Sequence, residues 1–139
     1  MPIVYVGDGD GHSFTHLHYL GWPDFGAPST TQPIISLVKD VRNLVNKSIK
    51  NNERKINVLV HCSAGVGRTG TFIVLYKIME QLDFLVPKFD IADDDTNKTI
   101  DIFYTAFMLR SKRVLMVKYY QSKNLVYMAI VFLISGPTI

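Results

Sequence analysis

The feature that most constrains this chain is a short apolar run that ends in a glycine-rich turn and leads directly into an apolar segment. The run INVLVHC, residues 56–62, is β-branched and follows the polar segment NNERK, as expected of a buried strand. The turn HCSAGVGRTG occupies residues 61–70, and RTGTFIVLYKIMEQL then has the length and composition of a buried helix. A strand that turns sharply into a helix presents the backbone amides of the turn at a helix N-terminus.

The rest of the chain carries further strand and helix patterns. HLHYL, residues 16–20, alternates loosely and enters GWPDFGAP, whose glycines and prolines predict a loop. Apolar residues at helical spacing predict three more helices, over residues 33–47, 100–112 and 120–134. The segment 84–98 holds a proline and an acidic cluster and predicts an exposed loop. The helix over 100–112 places four apolar residues on one face: Ile100, Phe103, Tyr104 and Phe107. Alternating strands and helices predict the α/β class.

Length and composition narrow the class of protein. The 139 residues, 47% of them hydrophobic, predict one domain over residues 1–139. A single cysteine, Cys62, excludes an internal disulfide and favours a reduced, cytoplasmic compartment, and the N-terminus lacks the pattern of a signal peptide. The net charge of +3 is spread along the chain, so nucleic acid is not an expected partner. The apolar C-terminal stretch 127–134 is shorter than the roughly 20 residues of a membrane span and predicts a buried helix.

The glycine-rich turn has the residues of a phosphate site built around a nucleophile. Glycines let the backbone curl so that successive N–H groups point into one concavity, and Arg68 adds a planar fork that matches two phosphate oxygens. The same positive surroundings favour the thiolate form of Cys62. The predicted phosphate-binding residues are Ser63, Ala64, Gly65, Val66, Gly67 and Arg68.

Other interpretations of these residues fit less well. Gly65, Gly67 and Gly70 formally match the dinucleotide pattern GxGxxG, but no clear second strand ending in an acid follows, and the Walker pattern is absent. A structural cysteine beside a plain turn leaves the arginine and the glycines unexplained. His16 and His18 share a strand face but lack a third ligand, so neither a metal site nor any cofactor is predicted.

Two motifs, in the right order, resemble the protein tyrosine phosphatases. HCSAGVGRTG is similar to the signature loop of that family, and WPDFGAP is similar to its mobile acid loop. The resemblance runs from about Thr15 to Ile130 and implies that Asp24 protonates the leaving phenolate, whose conjugate acid has a pKa of about 10. It further implies that Thr69 assists the departing thiolate and that Trp22 anchors the acid loop.

The chain departs from the family pattern in two respects. Tyrosine-specific members have a catalytic domain about twice as long, so we expect a phosphatase-like fold, a central sheet flanked by helices, whose N-terminal part is missing. The family usually places glutamines where they position the hydrolytic water, and here those positions hold Lys118 and Ser122. A badly placed water slows hydrolysis of a phosphocysteine while its formation survives.

Three functions follow from these patterns. The resemblance implies a phosphotyrosine phosphatase that works through a phosphocysteine on Cys62, with an impaired second step and phosphotyrosine-containing proteins as partners. A weak or inactive phosphotyrosine-binding remnant, acting as a decoy, is the first alternative, and a dual-specificity phosphatase is the second. Short, divergent sequences of this kind are similar to the phosphatases of polydnaviruses, the symbionts of parasitoid wasps, which would imply action in a host-cell cytoplasm.

Overall fold

The computed structural model describes residues 3–9, 12–23, 26–51, 56–85, 100–117 and 120–135. Two strands, β1 (Ile3–Gly9) and β2 (His12–His18), pair antiparallel, with Ile3 opposite His18 and Gly9 opposite His12. The helices of the described chain are α1 (Gln32–Lys50), α2 (Gly67–Leu85), α3 (Ile102–Lys112) and α4 (Tyr120–Ser135).

Helix α2 is the centre of the core, because it packs against each of the other three helices. Its side chains are apolar on most sides, as expected of a helix surrounded by protein. Val74, Leu75 and Ile78 are almost fully buried, and burying each such side chain contributes about 1.5 to 3 kcal/mol. The glycine-rich turn that precedes α2 is therefore attached to the most firmly held helix of the described chain.

Helix α1 starts with Pro33 in its first turn, where a missing backbone N–H costs nothing. Ile34, Ile35 and Val38 form its buried face. Arg42 of α1 pairs with Asp83 of α2, and its guanidinium lies 5.9 Å from the ring centroid of Tyr76, also in α2. These contacts join α1 to α2.

Helices α3 and α4 pack on α2 with one face each. Asp101 caps α3, accepting a hydrogen bond from the Tyr104 backbone N at 2.7 Å, and this kind of cap contributes about 1 kcal/mol. Three of the four residues on the predicted apolar face of α3, Phe103, Tyr104 and Phe107, are exposed, Phe103 by 76%, whereas Ile100, ahead of the helix, packs against the core. Half-buried residues on the other side, such as Leu109, pack against the core instead. In α4 the buried residues are Leu125, Val126, Ala129 and Ile130.

The four predicted helices are confirmed, but the predicted buried strand over residues 56–62 is wrong. Those residues form no hydrogen-bonded strand, and Leu59 is 89% exposed. The reason is that a strand is held by its neighbours, and the only sheet among the described residues is the β1–β2 pair. Strand β2 extends further toward the N-terminus than the predicted 16–20, and β1 was not predicted.

The described chain is thus mainly helical with one two-stranded sheet, and the predicted central sheet is not among its elements. The start of the predicted loop 84–98 belongs to α2, and residues 86–99 lie outside the described residues. None of the described helices is both long and apolar enough to cross a membrane. The assignment of residues 1–139 to a single domain stays a prediction.

Candidate active site

The turn between residue 62 and the start of α2 forms a tight cradle. Gly65 has φ +67°, a left-handed conformation that side chains with a Cβ rarely adopt. Helix α2 begins at Gly67, and the backbone N of Gly70 donates to the Val66 carbonyl at 3.3 Å. Of the three glycines predicted to let the backbone curl, Gly65 adopts the left-handed conformation, whereas Gly67 and Gly70 lie within helix α2.

Several hydrogen-bond donors of this cradle point at the Cys62 sulfur. The backbone N of Gly65 lies 3.2 Å from Sγ. The backbone amides of Val66 and Thr69 and the hydroxyl of Thr69 lie near enough to it to lower the pKa of the thiol. The Thr69 hydroxyl oxygen is buried and has no hydrogen-bond partner among the described residues. The sulfur therefore sits where an anion would, at the N-terminus of a helix.

These donors set the acidity of Cys62. Burial is the largest single influence and acts to raise the pKa of the thiol. The nearby Thr69 hydroxyl and the amides of Thr69, Gly65 and Val66 together outweigh it, so the pKa of Cys62 is lowered from its ordinary value. The structure thus favours the thiolate, which is the nucleophilic form of cysteine.

Arg68 lies in the first turn of α2, at the rim of the cradle. Its Nη2 donates to the Ser63 hydroxyl at 3.4 Å. This contact joins the two ends of the turn through the side chain that the sequence predicts as the phosphate fork. Among the predicted phosphate-binding residues, the structure brings Gly65 and Val66 to the sulfur and Ser63 to Arg68.

The segment after α3, residues 114–117, has a strained backbone and is hydrogen-bonded to the cradle. Arg110 donates to two of its carbonyls, from Nε to Met116 O at 2.9 Å and from Nη2 to Val117 O at 3.1 Å. The backbone N of Val117 donates to the Val66 carbonyl at 2.9 Å. Leu115 and Val117 have φ values of +70° and +54°. Such a conformation in a β-branched residue costs about 1 to 3 kcal/mol and persists only where the surroundings hold it.

Arg113 is a site residue whose contact the sequence analysis missed. Its Nη2 donates to the Ala64 carbonyl at 3.2 Å, across 49 positions of sequence. The spacing of three between Arg110 and Arg113 places both at one end of α3. That spacing is the only signal in the sequence, and it does not reveal which carbonyls the arginines reach.

The structure describes the segment that resembles the acid loop up to residue 23 and again from residue 26. Trp22 is 7% exposed, and its Nε1 donates to the Gly26 carbonyl at 3.2 Å. Tyr19 packs against it edge-on at 6.4 Å between ring centroids, and burial raises the pKa of Tyr19. Gly26 has φ +114°, a value that favours glycine. Asp24, the predicted proton donor, lies outside the described residues.

The remaining predicted site residues stay predictions. Lys118 lies outside the described residues, and Ser122 falls in α4 without a described side chain. The rings of His16 and His18 stack at 5.7 Å. Within the described ranges, no group of three histidine, cysteine or acidic residues is arranged to hold a metal ion.

The cradle, with its cysteine, arginine and helix N-terminus, agrees with the family comparison. The family model for protein-tyrosine phosphatase matches residues 3–132. The chain therefore belongs to the protein-tyrosine phosphatase family. The match starts ahead of the resemblance found in the sequence and takes in the whole of β1 and β2.

Individual relatives agree with this assignment. Tyrosine-protein phosphatase 1 of Dictyostelium discoideum is 39% identical over 88 residues, which is 63% of this chain and 17% of that protein. Receptor-type tyrosine-protein phosphatase eta of Gallus gallus is 35% identical over 109 residues, 78% of this chain and 7% of that protein. The tyrosine-protein phosphatase corkscrew of Drosophila virilis is 35% identical over 115 residues, which is 83% of this chain and 14% of that protein. The chain spans less than a fifth of the length of these three relatives.

Proposed function

We propose that this chain hydrolyses phosphotyrosine in proteins through a phosphocysteine formed on Cys62, with an impaired second step. The observation that carries the proposal is the Gly65 amide directed at the Cys62 sulfur at 3.2 Å, just ahead of the N-terminus of α2. Donors placed in this way stabilise a thiolate and, with Arg68, match the oxygens of a phosphate group. The family membership of the chain supports the same chemistry.

In the first step, the Cys62 thiolate attacks phosphorus, an S–P bond forms, and the bond from phosphorus to the phenolic oxygen breaks. The leaving oxygen takes a proton from Asp24, because a phenolate with a conjugate acid of pKa about 10 is a poor leaving group at neutral pH. Trp22 is the proposed anchor of the loop that brings Asp24 over the phosphate, and its indole hydrogen bond to Gly26 supports that role.

In the second step, water attacks phosphorus, the S–P bond breaks, and the thiolate leaves. Asp24 takes the proton of the water, and the Thr69 hydroxyl, which is buried and has no other hydrogen-bond partner among the described residues, stabilises the departing thiolate. Lys118 and Ser122 replace the glutamines that hold this water in the family. A water without its positioning groups loses much of the advantage of orientation, so this step becomes the slow one.

The same replacements support a second candidate, a phosphotyrosine-binding remnant that retains the cradle and does not turn over. The two candidates differ in the fate of the phosphate. The enzyme releases it slowly, whereas the remnant binds the phosphotyrosyl group without cleaving it. Location in a host-cell cytoplasm, and the viral origin from which it would follow, stay predictions of the sequence.

The test is phosphate release from a phosphotyrosyl peptide and from the matching phosphoseryl peptide. The wild type is expected to release a burst from the phosphotyrosyl peptide and then turn over slowly. Cys62→Ser removes the burst, because an alcohol is not ionised at neutral pH. Asp24→Ala slows the burst, because the phenolate then leaves without its proton.

Two results would contradict the proposal. Equal low rates from the wild type and both variants would leave only binding, and equal rates on the two peptides would favour dual specificity. Lys39→Met, at an exposed position of α1, serves as a control for loss of a surface charge and is expected to behave as the wild type.

A further inference from the structure

One peptide group of the cradle is bound on both of its sides. On one side, Arg113 Nη2 donates to the Ala64 carbonyl oxygen at 3.2 Å. On the other, the N–H of the same peptide group, which belongs to Gly65, donates to the Cys62 sulfur at 3.2 Å. A trans peptide is planar, and its C=O and N–H point in opposite directions. The Arg113 guanidinium and the Cys62 sulfur are therefore hydrogen-bonded to opposite sides of one planar peptide group.

The guanidinium also packs tightly over Gly65. A Cβ built at this glycine would lie 3.1 Å from Nη2 and 3.3 Å from both Cζ and Nη1 of Arg113. Gly65 is at φ +67°, so backbone conformation also disfavours residue types with a Cβ at this position. Three atoms of the guanidinium, and not just one nitrogen, therefore lie close to the side of Gly65 where a Cβ would project.

We propose that Arg113 is a positioning residue for the nucleophile: it fixes the peptide group between Ala64 and Gly65 so that its N–H stays directed at the Cys62 thiolate. A positive group on the carbonyl oxygen polarises the amide and strengthens its N–H as a donor. It also prevents a peptide flip, which would turn the carbonyl oxygen toward a negatively charged sulfur. The catalytic consequence rests on the proposed function, but the effect on the thiolate does not.

Other charged groups near the sulfur must be separated from this effect. His61 and Arg68 lie on the same segment as the nucleophile, and the guanidinium of Arg68 contacts the Ser63 hydroxyl. Arg110, on α3, donates to carbonyls of the segment that follows. The resemblance places Asp24 near the sulfur as well, and it lies outside the described residues. A test must therefore change Arg113 while these groups are kept.

The experiment is the pH dependence of iodoacetamide alkylation of Cys62, the single cysteine, in the full 139-residue chain. Arg113→Met removes the guanidinium and is expected to move the midpoint of the profile to higher pH. Loss of one net hydrogen bond to the thiolate lowers the thiolate fraction below the midpoint by about two- to tenfold. Lys112→Met is the matched control, since Lys112 is exposed, adjacent and equally charged, and its ammonium has no hydrogen bond within the described chain.

The outcomes distinguish the effect of the Arg113–Ala64 hydrogen bond from the effect of losing one positive charge near the site. A midpoint in Arg113→Met that equals the wild type overturns the proposal, and so does a shift that Lys112→Met reproduces in full. Far-UV circular dichroism checks that the helices persist. If Arg113→Met loses them, Arg113→Lys is measured in its place, because it keeps the charge without the planar fork. A smaller upward shift supports the proposal, and an unchanged midpoint overturns it.

Alkylation needs no turnover, so this inference and the proposed function fail in different ways. A wild type without phosphatase activity still shows the shift if Arg113 orients the peptide group. If the wild type is active but Arg113→Met has the same alkylation midpoint, the phosphatase proposal stands and the proposed role of Arg113 is overturned.

Discussion

Replacement of Gly70 by alanine adds one methyl group where α2 and the strained segment after α3 meet. A Cβ at this position would lie 2.6 Å from the Val117 backbone N, 3.1 Å from Val117 Cγ2 and 3.4 Å from the Met116 carbonyl carbon. The closest of these atoms is backbone and cannot rotate away. The same Val117 N donates to the Val66 carbonyl at 2.9 Å. The methyl group therefore displaces a backbone that is itself hydrogen-bonded to the cradle.

Two effects of opposite sign decide the magnitude. Alanine is favoured over glycine inside a helix by about 1 kcal/mol. Overpacking at a filled site costs about 1 to 3 kcal/mol, and a buried hydrogen bond broken on one side costs about 1 to 3 kcal/mol more. The steric and hydrogen-bond terms exceed the helix term, so Gly70→Ala is expected to lower the free energy of unfolding by roughly 2 to 4 kcal/mol.

The assay is urea unfolding followed by the helical circular dichroism signal. With a slope of about 2 kcal/mol per molar urea, the midpoint falls by about 1 to 2 M, or folding is lost in buffer alone. Gly26→Ala is the comparison without a clash: no atom lies within 4 Å of the Gly26 Cβ position, so any loss of stability there comes from its φ of +114° alone. Equal or higher stability in Gly70→Ala would refute the close approach of Val117 to α2.

Three further predictions concern single groups. Asp101→Ala removes the α3 cap and is expected to lower the urea-derived stability by about 1 kcal/mol; an unchanged midpoint would contradict the cap. Thr69→Val keeps the shape but removes one donor, so the lowered pKa of Cys62 rises toward 9.0, and the alkylation profile moves to higher pH. The stability that the thiolate gives above the unfolded pKa, and that is lost as the pH falls through the folded pKa, becomes smaller. Lys118→Gln with Ser122→Gln is expected to speed the slow phase of phosphate release and leave the burst unchanged; an unchanged slow phase would show that water positioning does not limit turnover.

Local sequence predicts the backbone conformation of the cradle well. The glycine that must curl the backbone, the cysteine that receives its amides and the helix that begins at residue 67 are all encoded within ten consecutive residues. Short-range sterics and helix-terminus electrostatics act within such a stretch, so its residue types determine its shape. The predicted helices follow from periodicity for the same reason.

Features that depend on distant residues were not predictable in the same way. The run at 56–62 has the composition of a buried strand, but a strand needs hydrogen-bonded neighbours, and composition does not show whether they are present. The aromatic face of α3 has helical spacing, yet the opposite side packs on α2, because spacing does not show which side meets the core. The left-handed Val117 contradicts its own local preference and is held by Arg110 from α3.

The contact of Arg113 with Ala64 is likewise a feature that local sequence does not predict. It joins residues 49 positions apart, and one of them contributes only its backbone carbonyl. A carbonyl is present at every residue, so no pattern of side chains marks the one that is bound. Only the folded arrangement shows that this carbonyl belongs to the peptide group that faces the nucleophile.

The central claim is that the Cys62 thiolate, held by the amides of the cradle, takes the phosphoryl group of phosphotyrosine. The most direct test is to mix the full chain with a phosphotyrosyl peptide, quench within milliseconds to seconds, and measure the mass of the peptide fragment that contains Cys62. The account predicts a phosphoryl adduct on Cys62 that accumulates with the burst, and its absence from Cys62→Ser. Release of phosphate at the wild-type rate by Cys62→Ser, with no adduct in the wild type, would contradict it.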